Sequence, residues 1–157
     1  MRWQQLEQLF KTNSHRLYLV AMAVTRHQDM AEDAVHEALM AMAESKAAPD
    51  NPEAYMYQVV RNKALRAIKD RKRYVRAQPE TFLTSTSDSH ADRFFAVQVS
   101  QKLNSLTAEQ RETIILHIYG ELTFREIAEI CGSSPNTVAS WYRRGIAALQ
   151  KGVSRDE

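Results

Sequence analysis

Between Thr107 and Lys151 the chain marks the ends of three successive helices with residue types that few other conformations favour. Thr107-Ala-Glu-Gln110 and Thr123-Phe-Arg-Glu126 each place a hydroxyl three residues before a Gln or Glu, so that side chains and backbone satisfy each other's free N–H groups at a helix start. The first of these helices is expected to end near Gly120 and the second at Gly132, the usual residue for a left-handed cap. Ser134-Pro135 opens the last helix, since proline at the first helical position lacks only a donor that would be unpaired anyway. A short helix, a turn of about four residues and a second helix starting on Ser-Pro are helix-turn-helix punctuation, although a hairpin used only for packing has the same outline.

Upstream, Leu6, Leu9, Phe10, Leu17, Val20, Ala21 and Val24 recur at helical spacing and predict a helix over 3–27, with a break near Asn13-Ser14. A second helix is expected from an Asp29 cap, with Glu32 three residues on, to about Ser45. Pro49-Asp-Asn-Pro52 breaks the chain, and Asn51 with Pro52 starts a third helix running to about Arg76. From Ala77 to Ser89 the chain is Ser/Thr-rich and aperiodic, which predicts a linker, and a further helix is expected over 90–104. With 4 Gly and 4 Pro in 157 residues, the fold class is all-α: two small helical domains, 1–77 and 98–157, joined by a flexible linker and the start of a helix over 78–97. Domains of roughly 60 to 80 residues bury only about 60% of their unfolded surface, so each half is expected to be marginal and helped by what it binds.

The formal net charge is only +2, but it is unevenly spread. Asp29 to Glu53 holds seven acids and one base, and Arg61 to Arg76 eight bases and one acid. At 100° per residue, Asn62, Arg66, Lys69, Arg73 and Arg76 share a sector of about 80°, opposite Met56, Val60 and Ala64. Burying the apolar side turns the stripe outward, where its cations can neutralise phosphates and release counterions. A merely solvated basic face has the same composition. Tyr55 points toward the stripe, where an aromatic can stack an unpaired base, while Tyr57 falls on the core side.

In the second helix Ala31, Val35, Ala38, Leu39 and Met42 make an apolar face, and Asp33, Glu37, Met40 and Glu44 lie opposite. A methionine exposed among acids suits a protein partner, because charges steer association and the thioether supplies contact area; an ordinary solvated helix fits the pattern as well. In the last helix Val138, Tyr142, Ile146 and Leu149 form the core side, leaving Asn136, Thr137, Ser140, Arg143 and Arg144 on the open face behind Ser134. Short polar groups at a helix N-terminus backed by arginines suit major-groove reading.

Other function classes find little support. The single cysteine, Cys131, rules out an internal disulfide and a cysteine-based zinc site, and no cofactor or metal is expected. Neither a phosphate-binding glycine loop nor a recognisable nucleophile setting is present, and the five histidines are scattered, so the chain is not expected to be an enzyme. The lack of an apolar run long enough to cross a bilayer, or of a signal-peptide core, predicts a cytoplasmic protein without membrane insertion.

Taken in order, these segments resemble the extracytoplasmic-function group of bacterial sigma factors, the minimal members that retain only the second and fourth regions. Asp29-Met-Ala-Glu-Asp-Ala-Val-His-Glu37 is similar to the family stretch that docks on the clamp helices of the polymerase β′ subunit, which implies contact roles for Glu32, Asp33, His36 and Glu37, with Met40 beside them. Tyr55 to Arg73 resembles the stretch that melts and reads the minus-ten element, which implies DNA contacts for Tyr55, Arg61, Asn62, Lys63, Arg66, Lys69, Arg73 and Arg76. Leu106 to Arg111 and Thr123 to Val138 resemble the fourth region, whose last helix reads the minus-thirty-five element, here through Ser134, Asn136, Thr137, Ser140, Arg143 and Arg144. The implied partners are core RNA polymerase, through its β′ clamp helices and β flap, promoter DNA and an anti-sigma protein.

Tyr55 stands where the family usually has Trp, and Arg66 where an Asp is common. Ala139, Trp141 and Ile146 occupy places where Lys or Arg is frequent, which weakens phosphate anchoring by the last helix and leaves Trp141 to pack against the linker, DNA sugars or an inhibitor. A plain helix-turn-helix regulator would leave the first half unexplained, and a sigma mimic that binds only an inhibitor would have no use for the basic stripe.

Overall fold

The computed structural model describes residues 2–71 and 101–154, among which there are helices and no strands. The complete helices are α1 (Trp3–Thr25), α2 (Gln28–Glu44), α3 (Pro52–Arg71), α4 (Ala108–Ile118), α5 (Phe124–Cys131) and α6 (Pro135–Ser154), and residues 101–104 are helical as well. The linker predicted from Ala77, most of the helix expected over 90–104, and the end of the third helix beyond Arg71 lie outside the described residues.

α1, α2 and α3 pack pairwise on one another. The break expected at Asn13-Ser14 does not occur. The Asn13 amide is buried and satisfied, donating to the Leu9 carbonyl at 2.9 Å and accepting from the Tyr57 hydroxyl at 3.2 Å, so it ties α1 to α3 and the helix continues through it. Desolvation pushes the buried Tyr57 phenol up to about 12.

The start of α2 also differs from expectation. Its cap is His27, whose Nδ1 accepts a long 3.5 Å bond from the Met30 N–H, and Asp29 lies in the first turn instead. Thr25 sets this geometry by donating to the Ala21 carbonyl and accepting from the His27 N–H, and Asp29 still complements the positive end of the helix. α3 begins as predicted, with Asn51 Oδ1 accepting from the Ala54 N–H at 3.2 Å.

α4, α5 and α6 form the second unit. Both predicted capping boxes are complete, Thr107 with Gln110 and Thr123 with Glu126. α5 ends at Gly132 with φ 67°, the left-handed region that glycine enters without a steric cost. α6 crosses α4 at Gly145, where a Cβ would stand 2.7 Å from Ile114 Cδ1, so the missing side chain is what admits the close approach. The trio is locked by three rings: His117 lies 4.7 Å from Phe124 and 4.9 Å from Tyr142, with Phe124 and Tyr142 5.3 Å apart. His117 Nδ1 donates to the Leu122 carbonyl at 2.8 Å.

The buried side chains of both units belong to one cluster, and α1 packs on α4 as α3 packs on α5. The support that a small helical unit needs is supplied here by the other half of the chain. Arg111 is the buried pin: its Nε donates to the Ala23 carbonyl at 2.6 Å and its Nη1 to the Leu106 carbonyl at 3.2 Å, satisfying one of the orphan carbonyls in the last turn of α1. Desolvation, with the charge of Arg26 as a smaller cause, lowers its pKa to about 10.

Candidate nucleic-acid interface and partner surface

Three outward faces follow from these packings. On α2, Ala31, Ala34, Val35, Ala38 and Met42 are consumed by the core, and Glu32, Asp33, His36 and Glu37 consequently face solvent. Met40 stands among them at 47% exposure, a large apolar group that the core does not use. All five predicted partner-binding residues thus share one continuous exposed surface.

On α3, Met56, Tyr57, Val60 and Ala64 are buried, which turns Asn62, Arg66 and Lys69 to solvent. Among the described residues no carboxylate lies within ion-pair reach of Arg66 or Lys69, so both are available to an anionic partner. Lys63 is half-buried, and Tyr55 is half-buried against the core cluster. Arg73 and Arg76 lie outside the described residues. Leu65 is 38% exposed at the Lys69 edge of this face and adds an apolar contact to it. Its helical position, three residues after Asn62 and four before Lys69, was the available signal.

Arg61 is the exception, and it corrects the expectation of an outward cation. Its Nε donates to Glu112 Oε2 of α4 at 2.7 Å, and its Nη1 reaches the Ile130 carbonyl of α5 at 3.5 Å. The two charged side chains are 17% and 9% exposed. Burial alone would lower the arginine pKa, but the Glu112 charge and hydrogen bond outweigh it and hold the guanidinium protonated. Arg61 lies about 100° from Asn62 on the helix, off the stripe, and this angle together with the small apolar neighbours Val60 and Ala64 was the sign that it could turn inward.

The same seam carries two further links. Asn51, while capping α3, donates from Nδ2 to Glu126 Oε2 at 2.7 Å, and Glu126 uses its other oxygen to accept from the Thr123 N–H in its own capping box. Arg16 Nη2 lies 3.4 Å from Glu121 Oε1 at the surface. Beside the Arg61 pair, the Cys131 thiol contacts Glu112 Oε2 at 3.9 Å, and burial pushes it up to about 11.

On α6, Val138 is buried while Tyr142, Ile146 and Leu149 pack half-buried against the core. Asn136, Thr137, Arg143 and Arg144 are exposed and Ser140 is half-exposed. Ser134 has a structural task at the start of α6, accepting from the Thr137 N–H at 3.2 Å and lying 2.9 Å from the Thr137 hydroxyl. Trp141 packs half-buried against the core cluster. Among the described residues no group of three or more His, Cys, Asp or Glu side chains is placed to hold a metal ion, and no helix is long and apolar enough to cross a membrane.

A long basic helix beside an acidic helix in one unit, and a helix-turn-helix in the other, are the pattern of a two-unit transcription factor. Comparison with known proteins agrees: the family model for Sigma-70 region 2 matches residues 9–74 and that for Sigma-70, region 4, matches residues 96–149, together more than half of the chain. The chain belongs to the sigma-70 family, in the two-region form of the extracytoplasmic-function group, and is a transcription-initiation sigma factor. It is 24% identical over 143 residues to the RNA polymerase sigma factor SigV of Bacillus subtilis (strain 168), a match spanning 89% of this chain and 86% of that one. Its fold superposes on the sigma factor RpoE from the complex with the anti-sigma factor NepR of Bartonella quintana with a TM-score of 0.79 and 25% identity, covering 98% of this chain and 97% of that one. The fold of CnrH, from its complex with the cytosolic domain of CnrY, matches with a TM-score of 0.71 and 23% identity over 99% and 92% of the two chains. Members of this family regulate transcription and are not enzymes.

Proposed function

We propose that the three outward faces divide the work of initiation among them. The acidic surface of α2, with Glu32, Asp33, His36 and Glu37 around Met40, docks on the β′ clamp helices of core RNA polymerase. The α3 face engages the minus-ten element: Asn62 and Leu65 meet bases, Arg66 and Lys69 meet phosphates, and Tyr55, Lys63, Arg73 and Arg76 extend the contact. α6 reads the minus-thirty-five element through Asn136, Ser140, Arg143 and Arg144, with Ser134 and Thr137 fixing the start of the helix, while the second unit rests on the β flap. The two working units are residues 1–77 and 98–157, the protein works in the cytoplasm, and an anti-sigma protein holds it between rounds of transcription, in keeping with the anti-sigma complex of the RpoE relative.

The observation that carries this reading is the exposure of Asp33, Glu37 and Met40 on one helix and of Asn62, Arg66 and Lys69 on the next, each opposite an apolar side that the core has consumed. Replacing Asp33 and Glu37 together by Lys reverses the steering charge without touching a buried group, and is expected to abolish assembly with core polymerase. Size-exclusion chromatography with core enzyme, followed by in vitro transcription from a library of promoter fragments, provides the test. A doubly substituted protein of unchanged helicity that still assembled and initiated would overturn the α2 assignment.

A further inference from the structure

Only Arg26 and His27 separate α1 from α2, and each is unusual for its place. Arg26 holds φ 53°, the left-handed region that a residue with a Cβ enters at a cost, and its N–H donates to the Met22 carbonyl at 2.8 Å. His27 caps α2: its Nδ1 accepts from the Met30 N–H at 3.5 Å, and its carbonyl accepts the first helical bond from the Ala31 N–H at 2.9 Å. Beside it the Thr25 hydroxyl accepts from the His27 N–H at 3.3 Å. An acceptor at Nδ1 exists only in the neutral imidazole, because the imidazolium carries N–H groups on both nitrogens. The caps of α3, α4, α5 and α6 are the oxygens of Asn51, Thr107, Thr123 and Ser134, which keep their lone pairs across the physiological pH range. Among the described residues, His27 is therefore the cap that a proton can remove.

The charges around the ring favour its neutral form. Arg26 precedes it, and Arg111 of α4 sits on the Ala23 carbonyl in the last turn of α1. Pro52 of α3 lies beside Gln8 and Leu9 of α1, so the two helices run in the same direction and the last turn of α3, with Lys69, Asp70 and Arg71, reaches the same end of the bundle as His27. On α2 the acids are Asp29 in the first turn and Glu32, which Gln28 meets at 3.4 Å, and both are exposed to screening by salt. Cations outnumber acids at this end, and a charged ring would also stand at the positive end of the α2 dipole. His27 is half-buried, within reach of solvent protons, and imidazole is the side chain whose charge ordinarily changes between about pH 5 and 8.

We propose that His27 makes the start of α2 proton-sensitive: acidification converts the ring to an imidazolium, which releases the Met30 N–H and loosens the first turn from Gln28 to Ala31. The contribution of the cap is present while the ring is neutral and is lost as pH falls, the sign required when the folded state binds the neutral form of a base. This turn leads directly into Glu32, Asp33, His36 and Glu37, so a fall in pH blurs the direction of the acids that face core polymerase and weakens docking, since a surface that must be ordered on binding binds less tightly. That consequence rests on the assignment of α2 to the polymerase; the loss of the cap does not.

Nitrogen-15 NMR of the full-length protein tests the cap directly. At about pH 7.5 the His27 ring is expected to carry its proton on Nε2 and leave Nδ1 bare, and an Nδ1–H ring would overturn the proposal. Between about pH 7.5 and about pH 5.5 the protection of the Met30 and Ala31 amides, corrected for intrinsic exchange, is expected to fall about fivefold, the low end of what a cap and a helix-dipole change supply together because the bond is long. His27→Asn keeps an acceptor that no proton removes and should hold its protection constant, while His27→Ala should show the low value in both buffers. Protection that stayed constant in the wild type, or fell equally in His27→Asn, would overturn the proposal. Affinity for core polymerase, taken in the same buffers as the ratio of wild type to His27→Asn so that His36 and the polymerase titrate alike in both, is expected to drop at least threefold on acidification. A constant ratio with falling protection would leave the cap standing and sink the assignment of α2 to polymerase docking; a falling ratio with constant protection would place the proton elsewhere and overturn the cap.

Discussion

The two helical units hold their functional residues in place by different means. In the second, the ends of the helices are pinned by two complete capping boxes, a left-handed Gly132 and a three-ring cluster, and the candidate base-reading residues Asn136 and Thr137 follow directly on the Ser134 cap. In the first, α1 starts without a side-chain cap, α2 on a long bond from the Met30 N–H to His27, and only α3 on a good cap, Asn51, so the long helices owe their position chiefly to packing. The candidate residues Asp33, Asn62 and Arg66 sit in mid-helix, and their direction is decided by which side the core consumes. A face set by local caps tolerates a loosened core, whereas a face set by packing moves with it.

The sharpest contrast is expected in the electrostatics of DNA binding. Arg66→Ala with Lys69→Ala removes two outward cations and should flatten the dependence of log affinity on log salt by about 1.8 units, at roughly 0.9 per phosphate contact. Arg143→Ala with Arg144→Ala should cost less, about one unit, because at the edge of a face whose neighbours Ala139, Trp141 and Ile146 carry no charge the two arginines together are expected to hold fewer phosphates. Fluorescence anisotropy across a salt series measures both slopes, and equal losses would erase the distinction between a cation-rich α3 and a cation-poor α6.

Stability should separate the units next. Phe124→Ala removes one ring of the His117–Phe124–Tyr142 cluster and is expected to destabilise by about 2 kcal/mol, less than for a fully buried phenylalanine because the ring is half-exposed. Tyr57→Phe leaves the buried Asn13 oxygen without its donor and should cost about 1 kcal/mol. Urea titrations followed by circular dichroism rank the two. A larger loss for Tyr57→Phe would make the α1–α3 link, and not the aromatic trio, the weaker point to disturb.

The last contrast is expected at alkaline pH and is confined to it, with no effect near neutrality. Cys131 in the second unit and Tyr57 in the first release their protons at about 11 and about 12 when folded, against ordinary values of 9.0 and 10.0. Both are acids with raised folded pKa values, so their contribution is full below pH 9, where neither has ionised in the unfolded chain, and is lost as pH rises through 11 to 12. Denaturation midpoints at pH 8, 10 and 11 should therefore fall, and Cys131→Ser should remove the earlier part of the fall. A single unchanged midpoint would show that neither group is linked to folding.

Much of this architecture was legible in the order of residues. Thr107 with Gln110, Thr123 with Glu126, Gly132 and Asn51-Pro52 announced helix ends because caps act over three or four residues, a range that sequence spacing encodes directly. The stripes of α2 and α3 were legible because helical periodicity assigns faces before any partner is known. Asn13 and His27 were misread because their roles depend on Tyr57 and Thr25 geometry, and Gly145 gave no signal because its meaning lies in Ile114 of another helix.

By itself, then, the sequence determined the helices, their caps and which side of each is apolar, since these are consequences of short-range hydrogen bonding and periodicity. Only the tertiary structure decided that the two units close on each other, that the Asn51 cap meets the Glu126 box, and that Arg61 turns away from the basic stripe to Glu112. Those pairings join residues fifty or more positions apart, where the deciding quantity is the free energy of burying a charge beside its partner, and no local pattern carries that information.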